Sequence, residues 1–214
     1  MSTVLERLTS YPIVPVYYHK NFQVARGILD DCFDAGLKVF EFTNRGIDAI
    51  EVFRQLVDHK NLKYPEMALG VGTVLNQNDA RHFIDAGAEF IVQPGISKEV
   101  AEICKGESIP WIPGVLTPTE IMNAGELGAD MIKIFPGNLV GSQYIKSIKG
   151  PFRNLKIMVT GGVDPTVESI NEWFNSGVNV VGIGSKLFGE NFDKKQFKEN
   201  IRMLFKEIKL VQSQ

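Results

Sequence analysis

Four times along the chain a helix-like stretch ends at glycine and turns at once into a β-branched or apolar segment. The junctions are Asp34-Ala35-Gly36-Leu37-Lys38-Val39-Phe40, Asp85-Ala86-Gly87-Ala88-Glu89-Phe90-Ile91, Glu126-Leu127-Gly128-Ala129-Asp130-Met131-Ile132 and Asn175-Ser176-Gly177-Val178-Asn179-Val180-Val181. Glycine takes the left-handed conformation past a last helical turn at no steric cost, so the chain reverses there into a strand. Ile13 to Tyr18, Met67 to Thr73, Trp111 to Val115 and Lys156 to Thr160 read as further strands before and between the junctions. About eight short strands alternating with helices is the pattern of a closed (β/α)8 barrel. An open flavodoxin-like sheet alternates in the same way but uses about five strands.

Helix starts agree with this register. Thr117-Pro118-Thr119-Glu120 supplies a capping threonine, proline at the first helical position and glutamate to close the box. Asp164-Pro165 predicts another start, and Phe197, Ile201, Leu204, Phe205 and Ile208 predict a closing helix from Phe192 to Leu210 with its lysines on the solvated face. The expected architecture is an α/β (β/α)8 TIM barrel, one domain over residues 1–214, with a short N-terminal helix.

Composition bears on function mainly by exclusion. A chain of 214 residues, 44% hydrophobic and 22% charged, suits one buried core. Its formal net charge of -2 offers no basic surplus for nucleic acid. Met1 to Arg7 has no basic region leading into an apolar stretch, and no segment reads as long and apolar enough to span a bilayer, so a cytoplasmic protein with no membrane partner is expected. Cys32 and Cys104 fall in helix-like stretches and read as buried reduced thiols, whereas His19, His59 and His82 are scattered, two of them on expected helices far from any acidic cluster. Neither set suggests a metal site.

Parallel barrel strands are covered on both sides and should be apolar throughout, yet two of them carry charge. In Val39-Phe40-Glu41-Phe42-Thr43 the alternation places Val39, Glu41 and Thr43 on one face and the phenylalanines on the other. In Met131-Ile132-Lys133-Ile134-Phe135 the same logic turns Met131, Lys133 and Phe135 inward. These are the second and sixth strands, opposite each other in an eight-stranded barrel, so a carboxylate and an amine share one interior. A purely structural pair would carry several kcal/mol of desolvation without return, whereas barrel enzymes place reactive groups at the carboxyl ends of strands. A lysine desolvated in such a pocket loses its proton more readily, and the neutral amine attacks a carbonyl to form an iminium that acts as an electron sink. A neighbouring carboxylate then moves protons during carbon–carbon cleavage, chemistry that needs no metal or other cofactor.

Thr160-Gly161-Gly162-Val163 and Gly182-Ile183-Gly184-Ser185 follow the seventh and eighth strands, whose loops often cradle phosphate in such barrels. Arg45, just past Glu41, is placed to hold a substrate carboxylate. Two other readings stay open on these residues. One is a phosphate-binding barrel isomerase, epimerase or synthase in which Lys133 only binds charge; the other is a non-catalytic sugar-phosphate binder.

The chain resembles the class I 2-keto-3-deoxy-6-phosphogluconate (KDPG) and 4-hydroxy-2-oxoglutarate (KHG) aldolases. The likeness is carried, in order, by Ile13-Val14-Pro15-Val16, Glu41-Phe42-Thr43-Asn44-Arg45, Gly70-Val71-Gly72-Thr73-Val74, Gln93-Pro94-Gly95, Ile112-Pro113-Gly114-Val115, Lys133-Ile134-Phe135-Pro136, Thr160-Gly161-Gly162 and Gly184-Ser185. The resemblance implies that Lys133 forms a Schiff base, Glu41 is the acid/base group, and Arg45 with Thr73 holds the pyruvyl carboxylate. It implies that Pro94, Phe135 and Thr160 line the site and that Gly161, Gly162, Gly184 and Ser185 take a phosphate. It further implies a phosphorylated keto-acid substrate cleaved to pyruvate and glyceraldehyde 3-phosphate, and a homotrimer. Two departures stand out: Ile183 precedes Gly184-Ser185 where the family often has glycine, with Lys186 following in place of an apolar residue, and Asn44 sits beside the carboxylate clamp. They leave the choice among phosphogluconate, phosphogalactonate and unphosphorylated hydroxy-oxoglutarate substrates open, although Thr160 resembles the gluconate type.

Overall fold

Alternate side chains of the strands separate into two cores, and that separation closes the sheet. The computed structural model describes residues 3–189 and 192–213. Its strands are β1 (Ile13–Tyr17), β2 (Val39–Thr43), β3 (Ala68–Gly72), β4 (Ile91–Val92), β5 (Trp111–Ile112), β6 (Gly114–Val115), β7 (Ile132–Ile134), β8 (Ile157–Thr160) and β9 (Val180–Ile183). Every pairing is parallel, in the order β5-β4-β3-β2-β1-β9-β8-β7-β6.

The two edge segments are halves of one barrel strand. Pro113 lies between β5 and β6 and has no N–H to give a ladder. Its carbonyl still accepts from the Lys133 N–H at 2.8 Å. The strand expected unbroken from Trp111 to Val115 is therefore split: β5 pairs with β4, β6 pairs with β7, and eight barrel positions result. The TIM-barrel expectation holds, and Lys133 lies on the sixth position.

Val14, Val39, Ala68, Phe90, Val92, Ile112, Met131, Met158 and Val180 fill the barrel interior, while Phe40, Phe42, Ile132 and Ile134 belong to the outer core under the helices. Phe40 and Phe42 are fully buried, and each contributes roughly 2–3 kcal/mol of apolar burial. The expected N-terminal helix is α1 (Val4–Ser10), started by a capping box in which the Glu6 N–H donates to Thr3 Oγ1 and the Thr3 N–H to Glu6 Oε2. Its Leu8 joins the interior cluster and plugs the barrel.

The helices α2 (Phe22–Asp34), α3 (Ala49–Lys63), α4 (Gln77–Asp85), α5 (Lys98–Gly106), α6 (Pro118–Glu126), α7 (Gly137–Lys149), α8 (Val167–Asn175) and α9 (Lys194–Gln212) follow the strands. Gly36, Gly87, Gly128 and Gly177 all have positive φ, between 85° and 102°, as the repeated junctions require. The expected start at Asp164-Pro165 lies too early. Thr166 caps α8 instead, its Oγ1 accepting from the Ser169 N–H at 3.3 Å. Asp164 is drawn away to Lys186, at 2.5 Å. His59 is also not remote from acid: packing of α3 on α2 sets its Nε2 2.6 Å from Asp30 Oδ1. Cys32 and Cys104 are buried and free, and burial pushes the Cys104 thiol up to about 12. Among the described residues, no helix is long and apolar enough to cross a membrane.

Candidate active site

A cavity of about 630 Å³ opens at the carboxyl ends of the strands. Into it the structure brings Glu41, Arg45, Thr73, Pro94, Lys133, Phe135, Thr160, Gly161, Gly184 and Ser185, from six of the eight barrel positions. Of the site residues expected from sequence, only Gly162 does not line it. That glycine, at φ +79°, closes on Asn138, where an added Cβ would stand 2.4 Å from the Asn138 Cβ. The Asn138 N–H donates to the Gly161 carbonyl at 3.0 Å, so the first turn of α7 braces the loop after β8.

The inward row of β2 sets the chemistry. Glu41 is 1% exposed and Lys133 6%, and Lys133 Nζ stands 4.0 Å from Glu41 Oε1. Burial raises the Glu41 carboxyl above its ordinary range, against the opposing pull of the Lys133 and Arg45 charges. Glu41 therefore holds its proton more readily than an exposed glutamate does. The Lys133 ammonium side also faces the Phe135 ring, 4.9 Å from its centroid.

Gly72 makes the position of Glu41 possible. A Cβ at Gly72 would lie 1.8 Å from Glu41 Oε1 and 2.6 Å from its Cδ, so the carboxylate occupies the place of the missing side chain. Gly182 does the same for Thr160, whose methyl would lie 2.3 Å from a Gly182 Cβ. The methyl thus fills the niche over β9, leaving the hydroxyl without a hydrogen-bond partner among the described residues.

Arg45 is exposed at the mouth, after β2. Thr73, just past β3, has φ +61°, a costly conformation for a β-branched residue. Gln93 fixes its surroundings: its Nε2 donates to the Val74 carbonyl at 3.1 Å, and its Oε1 accepts from Trp111 Nε1 at 2.8 Å. Gly114 lets the loop after β4 close in, since a Cβ there would strike the Pro94 carbonyl at 2.2 Å. On the opposite side Gly184 leads into a short 3-10 turn, Ser185–Leu187, whose first N–H groups have no partner within the turn. Lys186 points away from the cavity to Asp164.

Sequence reasoning missed part of the lining. Thr43 falls on the expected inward face without a role there; Val16, Tyr17, Tyr18, Ile28, Phe188, Gly189 and Phe192 have no expected place in the site. Val16 follows the inward alternation of β1 and could have been found that way. The aromatic side, where Tyr17 and Phe188 meet edge to face with centroids 5.1 Å apart, is assembled from distant segments and leaves no local signal.

Comparison with known proteins gives the chain a family. The family model described as "KDPG and KHG aldolase" matches residues 4–204. The KHG/KDPG aldolase of Escherichia coli (strain K12) is 31% identical over 159 residues, covering 74% of this chain and 73% of that protein. The 2-dehydro-3-deoxy-6-phosphogalactonate aldolase of the same organism is 33% identical over 173 residues, covering 77% and 82%. Among solved structures, a KDPG aldolase from Legionella pneumophila with pyruvate captured as a covalent carbinolamine intermediate superposes with a TM-score of 0.80, at 28% identity, over 94% of this chain and 96% of that one.

Proposed function

Because the chain belongs to the KDPG and KHG aldolase family, whose members are carbon–carbon lyases, we propose that it cleaves KDPG to pyruvate and glyceraldehyde 3-phosphate through a Schiff base on Lys133. The observation that carries this reading is the buried amine of Lys133 set 4.0 Å from the buried carboxyl of Glu41, at the carboxyl end of the barrel. The carbinolamine held by the Legionella relative supports it.

Arg45 and Thr73 hold the substrate carboxylate, which presents the adjacent ketone carbon to Lys133. The amine attacks that carbon, and loss of water gives the iminium. A base then takes the proton of the C4 hydroxyl. The C3–C4 bond breaks, its electrons pass to the iminium, and the aldehyde leaves an enamine on Lys133. Protonation of the enamine and hydrolysis release pyruvate and free the lysine. Glu41 is the group placed to move these protons, directly or through one water. Pro94 and Phe135 flank the keto-acid end. Gly161, Gly184 and Ser185 offer backbone N–H groups to the phosphate, and Gly162 holds the loop of Gly161 against Asn138. No metal or other cofactor takes part in this sequence of steps. We read residues 1–214 as one such domain, assembled as a homotrimer in the cytoplasm.

Thr160, of the gluconate type, favours KDPG over its galactonate epimer. Coupled measurement of pyruvate release tests this. KDPG should give the highest kcat/KM, with 4-hydroxy-2-oxoglutarate cleaved more slowly to pyruvate and glyoxylate. A preference for the galactonate epimer would overturn the substrate assignment, and no pyruvate from any of the three would overturn the mechanism.

A further inference from the structure

Besides its amine, the cavity holds three buried oxygens with no hydrogen-bond partner among the described residues, Glu41 Oε2, Thr43 Oγ1 and Thr160 Oγ1, and the first two share one strand. Thr43 is 2% exposed and lines the cavity. A buried hydroxyl left unpaired is a departure from the general rule that calls for an explanation. Among the described residues no neighbour pairs with it.

Register brings the two oxygens to one level. Glu41 lies opposite Gly70, and Thr43 opposite Gly72. The Glu41 carboxylate does not stay level with Gly70, because its Oε1 lies over Gly72, 1.8 Å from where a Cβ would stand. It leans one pleat toward the carboxyl end, to the height of Thr43. Lys133 Nζ is 4.0 Å from that same Oε1. Carboxyl and hydroxyl therefore stand at one height in the barrel, with the amine beside the carboxyl, in the one cavity that all three residues line.

We propose that Thr43 is a further catalytic residue, whose hydroxyl acts with Glu41 to receive the oxygen atom expelled from the ketone carbon as Lys133 forms its imine. The inference rests on the Schiff-base reading above. In the carbinolamine the former ketone oxygen carries one hydrogen, and its carbon is bonded to the Lys133 nitrogen. The nitrogen lone pair closes the C=N bond as the C–O bond breaks. The departing oxygen takes a proton from the Glu41 carboxyl and leaves as water, so that Glu41 becomes a carboxylate and the nitrogen an iminium. Thr43 donates its hydrogen to that oxygen throughout, stabilising the charge it gains as the bond lengthens. Desolvation, which keeps the Glu41 carboxyl protonated more readily than an exposed one, suits it to give that proton.

Exchange of the pyruvate ketone oxygen with H₂¹⁸O, followed by mass spectrometry, reads this step without an aldehyde partner. Thr43→Val keeps the shape and removes the hydroxyl. It should slow enzyme-catalysed exchange at least about tenfold, and Thr43→Ser should recover most of the rate. The melting temperature of Thr43→Val without ligand should equal or exceed that of the wild type, because no internal hydrogen bond is lost. Wild-type exchange that Thr43→Val leaves unchanged overturns this inference alone, and so does a Thr43→Val protein that melts lower and owes its slower exchange to a damaged fold. Absence of exchange in the wild type overturns the Schiff-base reading, and this inference with it.

Discussion

Substituting Gly72 by alanine adds one methyl group beside Glu41. Gly72 lies in β3 with ordinary strand backbone, so the change brings no conformational strain of its own. Its Cβ would stand 1.8 Å from Glu41 Oε1, where ordinary contact begins at 3.4 Å, so the carboxylate must retreat by about 1.6 Å. A displacement of that size costs roughly 10²-fold when the displaced group takes part in the chemistry. Gly72→Ala should therefore lower kcat for pyruvate release about 10²-fold while the melting temperature shifts little. The double variant Gly72→Ala, Glu41→Ala should be no slower than Glu41→Ala alone, because the methyl acts only through that carboxylate. A folded Gly72→Ala enzyme with wild-type kcat, or losses that multiply in the double variant, would refute the placement of Glu41 as the proton-transfer group.

Two further outcomes follow from the same cavity. Burial raises the Glu41 carboxyl, so the folded protein binds this proton up to a higher pH than the unfolded chain, and charging Glu41 weighs against the fold as pH rises through its folded value. Glu41→Gln should then gain stability relative to wild type as pH rises from about 4.5, measured by urea unfolding across pH; a difference independent of pH would contradict the raised carboxyl. Thr73→Gly should relieve the left-handed strain at φ +61° and gain on the order of 1 kcal/mol, while raising KM for the keto acid through the lost hydroxyl. A lower melting temperature with unchanged KM would show that Thr73 serves the fold and not the substrate.

How much of this was legible in the sequence depends on how local its cause is. Gly36, Gly87, Gly128 and Gly177 each close a helix within their own segment, so their left-handed turns, and the barrel rhythm, could be read directly. Strand alternation likewise fixed which side chains of β2 and β7 face inward, Glu41 and Lys133 among them. The split strand has a local cause in Pro113, but the approach of Pro94 to Gly114 from a neighbouring strand could not be read so. The same holds for the seat of Glu41 over Gly72, the niche of Thr160 over Gly182 and the contact of Gly162 with Asn138. Each is an absence of side chain on one element answered by a side chain on another, a relation that periodicity along one segment does not carry. Asp164 shows the converse: its sequence context suggests a helix cap, and a long-range pairing with Lys186 redirects it.

The central claim is that the Lys133 amine condenses with a ketone. The enzyme incubated with pyruvate and borohydride, then digested and mapped by mass spectrometry, should carry one reduced pyruvyl adduct on the peptide containing Lys133 and lose activity in proportion. A fully reduced reaction mixture in which Lys133 stays unmodified, or an adduct spread over the surface lysines, would contradict it.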